Sequence, residues 1–232
     1  MTLQELAQRI EHTLLKPEAT QSDVSRLCDE ALMRGFIGVC VNPIHVAFAV
    51  ERIAAATKDM DRRPVVVSVA GFPLGATHSA TKADEADRAL SDGALEIDMV
   101  VDIGALCRGD GPTVRRGIEA VAQRVRGFPG ALLKVILETG ALSKEQIILG
   151  CRCCAEAQAD FVKTSTGMHS SGGATVESVA LMHRTSVPIR VKAAGGIRSA
   201  AAALAMIEAG AARIGTSSGC AIVDEYAARF LE

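Results

Sequence analysis

The sequence predicts one α/β domain over residues 1–232, folded as a (β/α)8 or TIM barrel. Its 232 residues suit that fold, which ordinarily takes roughly 250. Short apolar runs alternate with Ala-rich amphipathic stretches eight times, at intervals of roughly 25–30 residues, and no linker or low-complexity stretch interrupts them. Hydrophobic residues make up 49% of the chain, aromatics only 3%, and Trp is absent. Small aliphatic side chains must therefore fill the core, as in parallel strands buried on both faces.

The first predicted strand, residues 10–15, is short and polar. A helix over 22–34 leads to a strand at 36–42, and the third strand is 65–70. Thr81 and Asp84 give a capping signal for a helix over 81–92, ahead of the fourth strand at 94–101. A helix over 114–126 precedes the fifth strand at 131–138. Ser143 and Gln146 cap a helix over 144–158 before the sixth strand at 160–165. Helices over 175–183 and 199–209 bracket the seventh strand at 188–193, and the eighth is 212–215. Strand–helix repeats of this kind give a parallel sheet with right-handed crossovers. An open doubly wound sheet is the alternative. It would carry a glycine phosphate loop after its first strand, where this chain reads Lys16-Pro17-Glu18-Ala19-Thr20.

Composition excludes some functions. A net charge of −2 offers no electrostatic grip on nucleic acid or an anionic membrane. No apolar run has the length of a membrane span, and Met1 to Arg9 lack the apolar core of a signal peptide. The expectation is a soluble, cytoplasmic protein. Its seven cysteines, an odd number, read as reduced thiols. Cys151, Cys153 and Cys154 fall on a predicted helix and read as small packing residues. The histidines His12, His45, His78, His169 and His183 are scattered, with no pair at metal-ligand spacing; His12 is expected to face a helix, and His78 to be exposed in a loop.

Charges in mid-strand carry the functional argument. A barrel strand is covered by helices outside, so a charged side chain must point inward, where burial is costly without a partner or purpose. Lys134, Lys163 and Lys192 interrupt three successive strands at intervals of 29 residues, which predicts equivalent depth in one cavity. Glu11, Glu96, Asp98 and Glu138 bring carboxylates to the same interior by period-two alternation. A structural ion-pair network would account for such a cluster. Catalysis by a lysine nucleophile also would. A free lysine, with a pKa near ~10.4, is protonated at neutral pH. A second ammonium nearby and a desolvated pocket favour the neutral amine, which can attack a carbonyl and form an iminium electron sink. A carboxylate such as Asp98 can relay protons.

Two Gly-rich turns follow the last two strands: Gly195-Gly196-Ile197-Arg198 and Gly215-Thr216-Ser217-Ser218-Gly219. Barrels commonly bind phosphate there, on backbone N–H groups and helix starts. A third turn, Thr164-Ser165-Thr166-Gly167, adds donors beside Lys163, and Met168 to Gly173 reads as a mobile loop over the site.

With these segments in place, the chain resembles the 2-deoxyribose-5-phosphate aldolase family over nearly its whole length. The resemblance rests on Glu11-His12-Thr13-Leu14-Leu15-Lys16-Pro17, Val39-Cys40-Val41-Asn42-Pro43, Glu96-Ile97-Asp98-Met99-Val100, the 133–139 segment around Lys134, Lys163-Thr164-Ser165-Thr166-Gly167, Lys192-Ala193-Ala194-Gly195-Gly196 and Gly215-Thr216-Ser217-Ser218. It implies a lyase reaction without metal or cofactor: reversible cleavage of deoxyribose 5-phosphate to acetaldehyde and glyceraldehyde 3-phosphate, in deoxyribose breakdown. By position, Lys163 would form the Schiff base, Lys192 would perturb it and Asp98 would relay protons. Lys134, Cys40, Thr13, Thr164 and Glu11 would line the substrate pocket. Gly167, Gly195, Gly196, Gly215, Ser217 and Ser218 would hold phosphate. The family habit and apolar helix surfaces imply a homodimer. Members usually carry Asp at position 11, Asn at 102 and Ser at 194, so Asp102 is expected to add charge at the cavity mouth. Some members end in a tyrosine, whereas this chain ends Phe230-Leu231-Glu232, and Tyr226 is expected to pack on the last helix. An aldolase for another phosphorylated sugar, or a non-catalytic sugar-phosphate binder, are the competing readings.

Overall fold

The computed structural model describes residues 1–57 and 63–230. Eight parallel strands close into a barrel in chain order: β1 (Ile10–Leu14), β2 (Gly38–Val41), β3 (Val65–Ala70), β4 (Glu96–Val100), β5 (Leu132–Ile136), β6 (Phe161–Lys163), β7 (Arg190–Ala194) and β8 (Ala211–Thr216). Around them run α1 (Leu3–Ala7), α2 (Gln21–Arg34), α3 (Val46–Ala56), α4 (Ser79–Ser91), α5 (Ile103–Cys107), α6 (Gly111–Val125), α7 (Lys144–Glu156), α8 (Val176–Thr185), α9 (Ala200–Glu208) and α10 (Gly219–Phe230).

Every predicted strand is present within two residues or so of its expected ends. The helices α1, α3, α5 and α10 lie where no helix was predicted. α5 is a single turn capped by Asp102, whose carboxylate accepts from Ala105 N–H at 2.8 Å. The capping box at Ser143 and Gln146 forms as predicted. The one at Thr81 does not: α4 begins at Ser79, so Thr81 and Asp84 lie inside it. Its start is fixed from within. Lys82 turns inward and donates to the carbonyls of Gly75 at 2.6 Å and Val100 at 2.8 Å. Burial holds the Lys82 pKa below the ordinary lysine value.

The main core fills the layer between strands and helices. Ile10, Val39, Val41, Ile97, Met99, Leu133, Val135, Val162 and Val191 point outward onto the helix faces. Their alternate neighbours point into the barrel, and these decide its chemistry.

His12 faces outward as expected, its Nε2 at 2.7 Å from Glu30 on α2. With Cys220 these form, among the described residues, a trio at metal-ligand spacing. The other ring nitrogen, Nδ1, is buried without a partner among the described residues. A metal on Nε2 would leave that N–H with no acceptor, so hydrogen bonding explains the trio better. Tyr226 is buried on α10 and its hydroxyl donates to the Met1 carbonyl. The terminal Leu231 and Glu232 lie outside the described residues.

Candidate active site

Ladder register places the lysines. Lys163 is paired directly with Lys192 across β6 and β7. Lys134 is paired with Phe161, two residues below Lys163. The equal spacing of 29 residues therefore does not give equal depth. Spacing counts residues along the chain, whereas depth follows strand stagger, so Lys134 lies one layer deeper.

The three ammonium groups converge on Asp98, which is fully buried. Its Oδ2 is 2.7 Å from Lys163 Nζ and 2.6 Å from Lys192 Nζ, and its Oδ1 is 2.9 Å from Lys134 Nζ. Lys192 also bonds Glu11, and Lys134 lies 2.6 Å from Glu96 and 3.5 Å from Glu11. Arg213 on β8 completes the cluster from below, 3.6 Å from both Glu11 and Glu96. Arg213 escaped the sequence reading although it obeys the rule that found the lysines: it is a mid-strand charge alternating with Gly215.

The cluster thus holds four cationic groups against three carboxylates among the described residues. Burial pushes the Asp98 carboxyl up, but Lys134, Lys163 and Lys192 outweigh it and hold its pKa well below the ordinary value. Glu11 is likewise held low, Lys134 and Lys192 overcoming burial. Burial pulls Lys192 down, yet Asp98 and Glu11 raise it above the usual lysine value, and Lys134 is raised for the same reason. Lys192 and Lys134 thus remain charged at neutral pH.

At the C-terminal mouth a cavity of about 210 Å3 is lined by Thr13, Lys16, Lys163, Thr166, Gly167, Gly195, Gly196, Arg198, Gly215 and Ser217, among others. Lys163 lines it, and Lys134 and Lys192 do not. Gly167, Gly195 and Gly196 have φ of 79°, 95° and 79°, which glycine alone adopts without strain. Gly215 has another reason to be glycine: a Cβ there would come within 3.0 Å of Lys192 Cε. Ser218 does not line the cavity; its N–H donates to Thr216 Oγ1 at 2.9 Å, just before α10. Ser165 Oγ is buried with no partner among the described residues. A larger hollow of about 780 Å3 lies at the opposite end, by Met1, Arg9 and Tyr226, away from the charged cluster.

Several expected residues have other neighbours. Thr164 turns its hydroxyl to β7, bonding both the carbonyl and the N–H of Ala194 at 2.9 Å. Cys40 is buried in an apolar cluster with Leu15, Val67 and Val69, and burial foremost pushes its thiol up to about 11. Glu138 does not join the lysines: it lies past the end of β5 and bonds Thr166. Asp102, expected at this mouth, instead lines a separate hollow with His78 and Lys82. His78 itself is exposed. The segment from Met168 to Gly173 is packed at its far end, Ala174 N–H donating to the Gly195 carbonyl at 3.0 Å.

A closed parallel barrel with a charged interior opening at the C-terminal ends of its strands has the architecture of a barrel enzyme. The chain belongs to the DeoC/LacD family of aldolases, whose family model matches residues 4–225. It is 53% identical over 221 residues to the deoxyribose-phosphate aldolase of Thermococcus gammatolerans, covering 95% of this chain and 96% of that one. It is 49% identical to the corresponding enzyme of Caldicellulosiruptor saccharolyticus, covering 97% and 100%. The solved deoxyribose phosphate aldolase of Aeropyrum pernix, described as a tetramer, superimposes with a TM-score of 0.87 at 32% identity, covering 100% and 94%. Among the described residues no helix is long and apolar enough to cross a membrane.

Proposed function

We propose that this protein reversibly cleaves 2-deoxy-D-ribose 5-phosphate to acetaldehyde and D-glyceraldehyde 3-phosphate through a Schiff base on Lys163. The observation that carries this reading is the position of Lys163. Of the three lysines around Asp98 it alone lines the cavity, and it shares one carboxylate oxygen with the Lys192 ammonium.

The neutral amine adds to the C1 aldehyde, and loss of water gives the iminium. Abstraction of the C3 hydroxyl proton sends the C2–C3 bonding pair to the iminium nitrogen, which releases glyceraldehyde 3-phosphate and leaves an enamine. Protonation at C2 and hydrolysis return acetaldehyde and the amine. Asp98, 2.7 Å from the reacting nitrogen, offsets the iminium charge as it offsets the ammonium. Its low pKa makes it a counter-charge and a relay through Oδ2 rather than a store of protons. Thr13 lines the well, while Lys134, Cys40, Thr164 and Glu11 support it from behind, and the turns at Gly167, Gly195, Gly196, Gly215 and Ser217 hold the phosphate. Lys16 and Arg198, which line the cavity, add positive charge for it.

We place the reaction in the cytoplasm, where seven unpaired cysteines persist reduced. We read the chain as one domain and its oligomer as a homodimer, supported by exposed Met33, Ile44 and Leu74 and checked by light scattering.

The test is borohydride reduction in the presence of acetaldehyde, with the adduct mapped by mass. The expected product is an ethylated Lys163, and Lys163→Leu is expected to lose turnover by on the order of 10⁴-fold or more. An adduct on another lysine, or none, overturns the assignment. A non-catalytic binder would keep its affinity for sugar phosphate in Lys163→Leu and give no adduct in the parent.

A further inference from the structure

We infer that Glu138 is a positioning residue for the phosphate end of the substrate, acting through the Thr166–Gly167 turn; this rests on the aldolase reading above. Glu138 adopts a left-handed backbone, φ 63° and ψ 61°, which a side-chain-bearing residue holds only at a cost. The ladder explains where that cost arises. Leu137 N–H donates to the Lys163 carbonyl at 3.0 Å and Thr139 N–H to the next carbonyl, Thr164, at 2.9 Å. Two steps along the fifth segment match one along the sixth, so Glu138 is the extra residue of a bulge.

The bulge aims a fully buried carboxylate across the gap. Thr166 N–H donates to its two oxygens at 3.3 and 3.2 Å, and Thr166 Oγ1 donates to Oε2 at 2.5 Å. Thr166 Oγ1 in turn accepts from Met168 N–H at 3.1 Å. The turn held this way carries Gly167, whose added Cβ would lie 3.4 Å from the Gly195 Cα, and Ser165, whose hydroxyl has no partner among the described residues. Two residues beyond Glu138, an added Cβ on Gly140 would meet the Ser171 hydroxyl at 2.8 Å. The 138–140 segment therefore meets the 166–171 loop at both ends, at Thr166 and Ser171, on a turn that lies against Gly195. A charge-assisted clamp costs a buried carboxylate and a strained backbone, and its product is a fixed turn at the mouth of the cavity. Lys163 itself is oriented by Asp98 and does not depend on this clamp.

The informative variant is Glu138→Gly, because glycine accepts the left-handed backbone while the carboxylate is lost. Kinetics are measured on deoxyribose 5-phosphate and on unphosphorylated deoxyribose, with inorganic phosphate as competing ligand. The expected result is a rise of about tenfold in KM for the phosphorylated substrate and in the Ki of phosphate, with turnover of deoxyribose and Lys163 trapping within about twofold of the parent. Glu138→Gln, which still accepts from Thr166, is expected to recover most of the loss. Equal losses on both substrates, or no change on either, overturn the inference. If the parent gives no Lys163 adduct, the aldolase reading fails, and the Ki of phosphate with and without the carboxylate still decides the role of Glu138.

Discussion

Inside the barrel, the arc from the end of β1 through β2 and β3 is apolar, with Leu15, Cys40, Val67 and Val69 in one cluster. The arc from β4 round to β8 and back to Glu11 is ionic, with Asp98, Lys134, Lys163, Lys192 and Arg213 in contact through shared carboxylates. Both arcs are largely buried, and in the ionic one Lys163 lines the cavity. The apolar arc is packed side chain against side chain, and only Leu15 of it reaches the cavity. The ionic arc decides which amine carries a proton. An ion network retained for stability alone would not need its most exposed lysine at the floor of a cavity, and replacing such networks with apolar groups is often stabilising.

Removing Lys192 breaks this comparison most severely. In Lys192→Leu, Asp98 Oδ2 is left to Lys163 alone, and the competing ammonium is gone. Both changes favour the protonated form of the nucleophile. Turnover is expected to fall by on the order of 10³-fold, and the pH needed for borohydride trapping to rise by about one unit or more. An unchanged pH profile would show that the crowding has no part in activation.

Lys134 sharpens the distinction between layers. It bonds Glu96 and Asp98 but does not line the cavity. Lys134→Met is expected to cost about 3 kcal/mol of stability, because Glu96 is left with Arg213 alone at 3.6 Å and Asp98 loses one of its three ammonium partners, while trapping at Lys163 survives. The pH dependence follows from the shifts. Lys134 and Lys192 have raised pKa values in the fold, so their contribution is complete below the unfolded lysine value of ~10.4 and is lost as pH rises through the folded values. Asp98 and Glu11 are lowered, so theirs is complete above the unfolded carboxylate values of ~4 and is lost as pH falls through the folded ones. Thermal unfolding from pH 4 to 11 should show a plateau from about 5 to 10 in the parent, with a smaller alkaline decline in Lys134→Met because one raised lysine is gone. An alkaline limb of the same slope in both proteins would show that Lys134 is not held charged by the fold.

Much of this was legible in the chain. Charge in an apolar run is a strong signal, because inside a barrel it has only one direction to point, and Lys134, Lys163, Lys192, Glu11 and Asp98 all follow it. Depth was not legible. The register Lys134↔Phe161 against Lys163↔Lys192 comes from strand stagger, which the constant spacing of 29 conceals. The left-handed backbone at Glu138 was hidden for a related reason: a bulge in a ladder depends on two strands at once. Thr164 reads as a donor for substrate in sequence, and only the close approach of Ala194 shows that its hydroxyl is occupied.

The mildest test falls on the apolar arc. Cys40 is fully buried at the border between the two arcs, and its thiol is pushed up to about 11, chiefly by burial and further by Asp98. At neutral pH it is therefore protonated, and no hydrogen bond connects it to a base among the described residues. Its contribution is then volume: a sulfur that fills space beside Val67 and Val69. Cys40→Ala should cost about 1 kcal/mol in stability and leave turnover within about fivefold of the parent, because a small void opens but no charge is displaced. Cys40→Ser, of similar size but with a stronger need for hydrogen bonds, should be the less stable of the two. A loss of a hundredfold in turnover for the alanine variant, with its thermal stability intact, would mean that the thiol takes part in proton transfer and that the apolar arc is not the passive wall described.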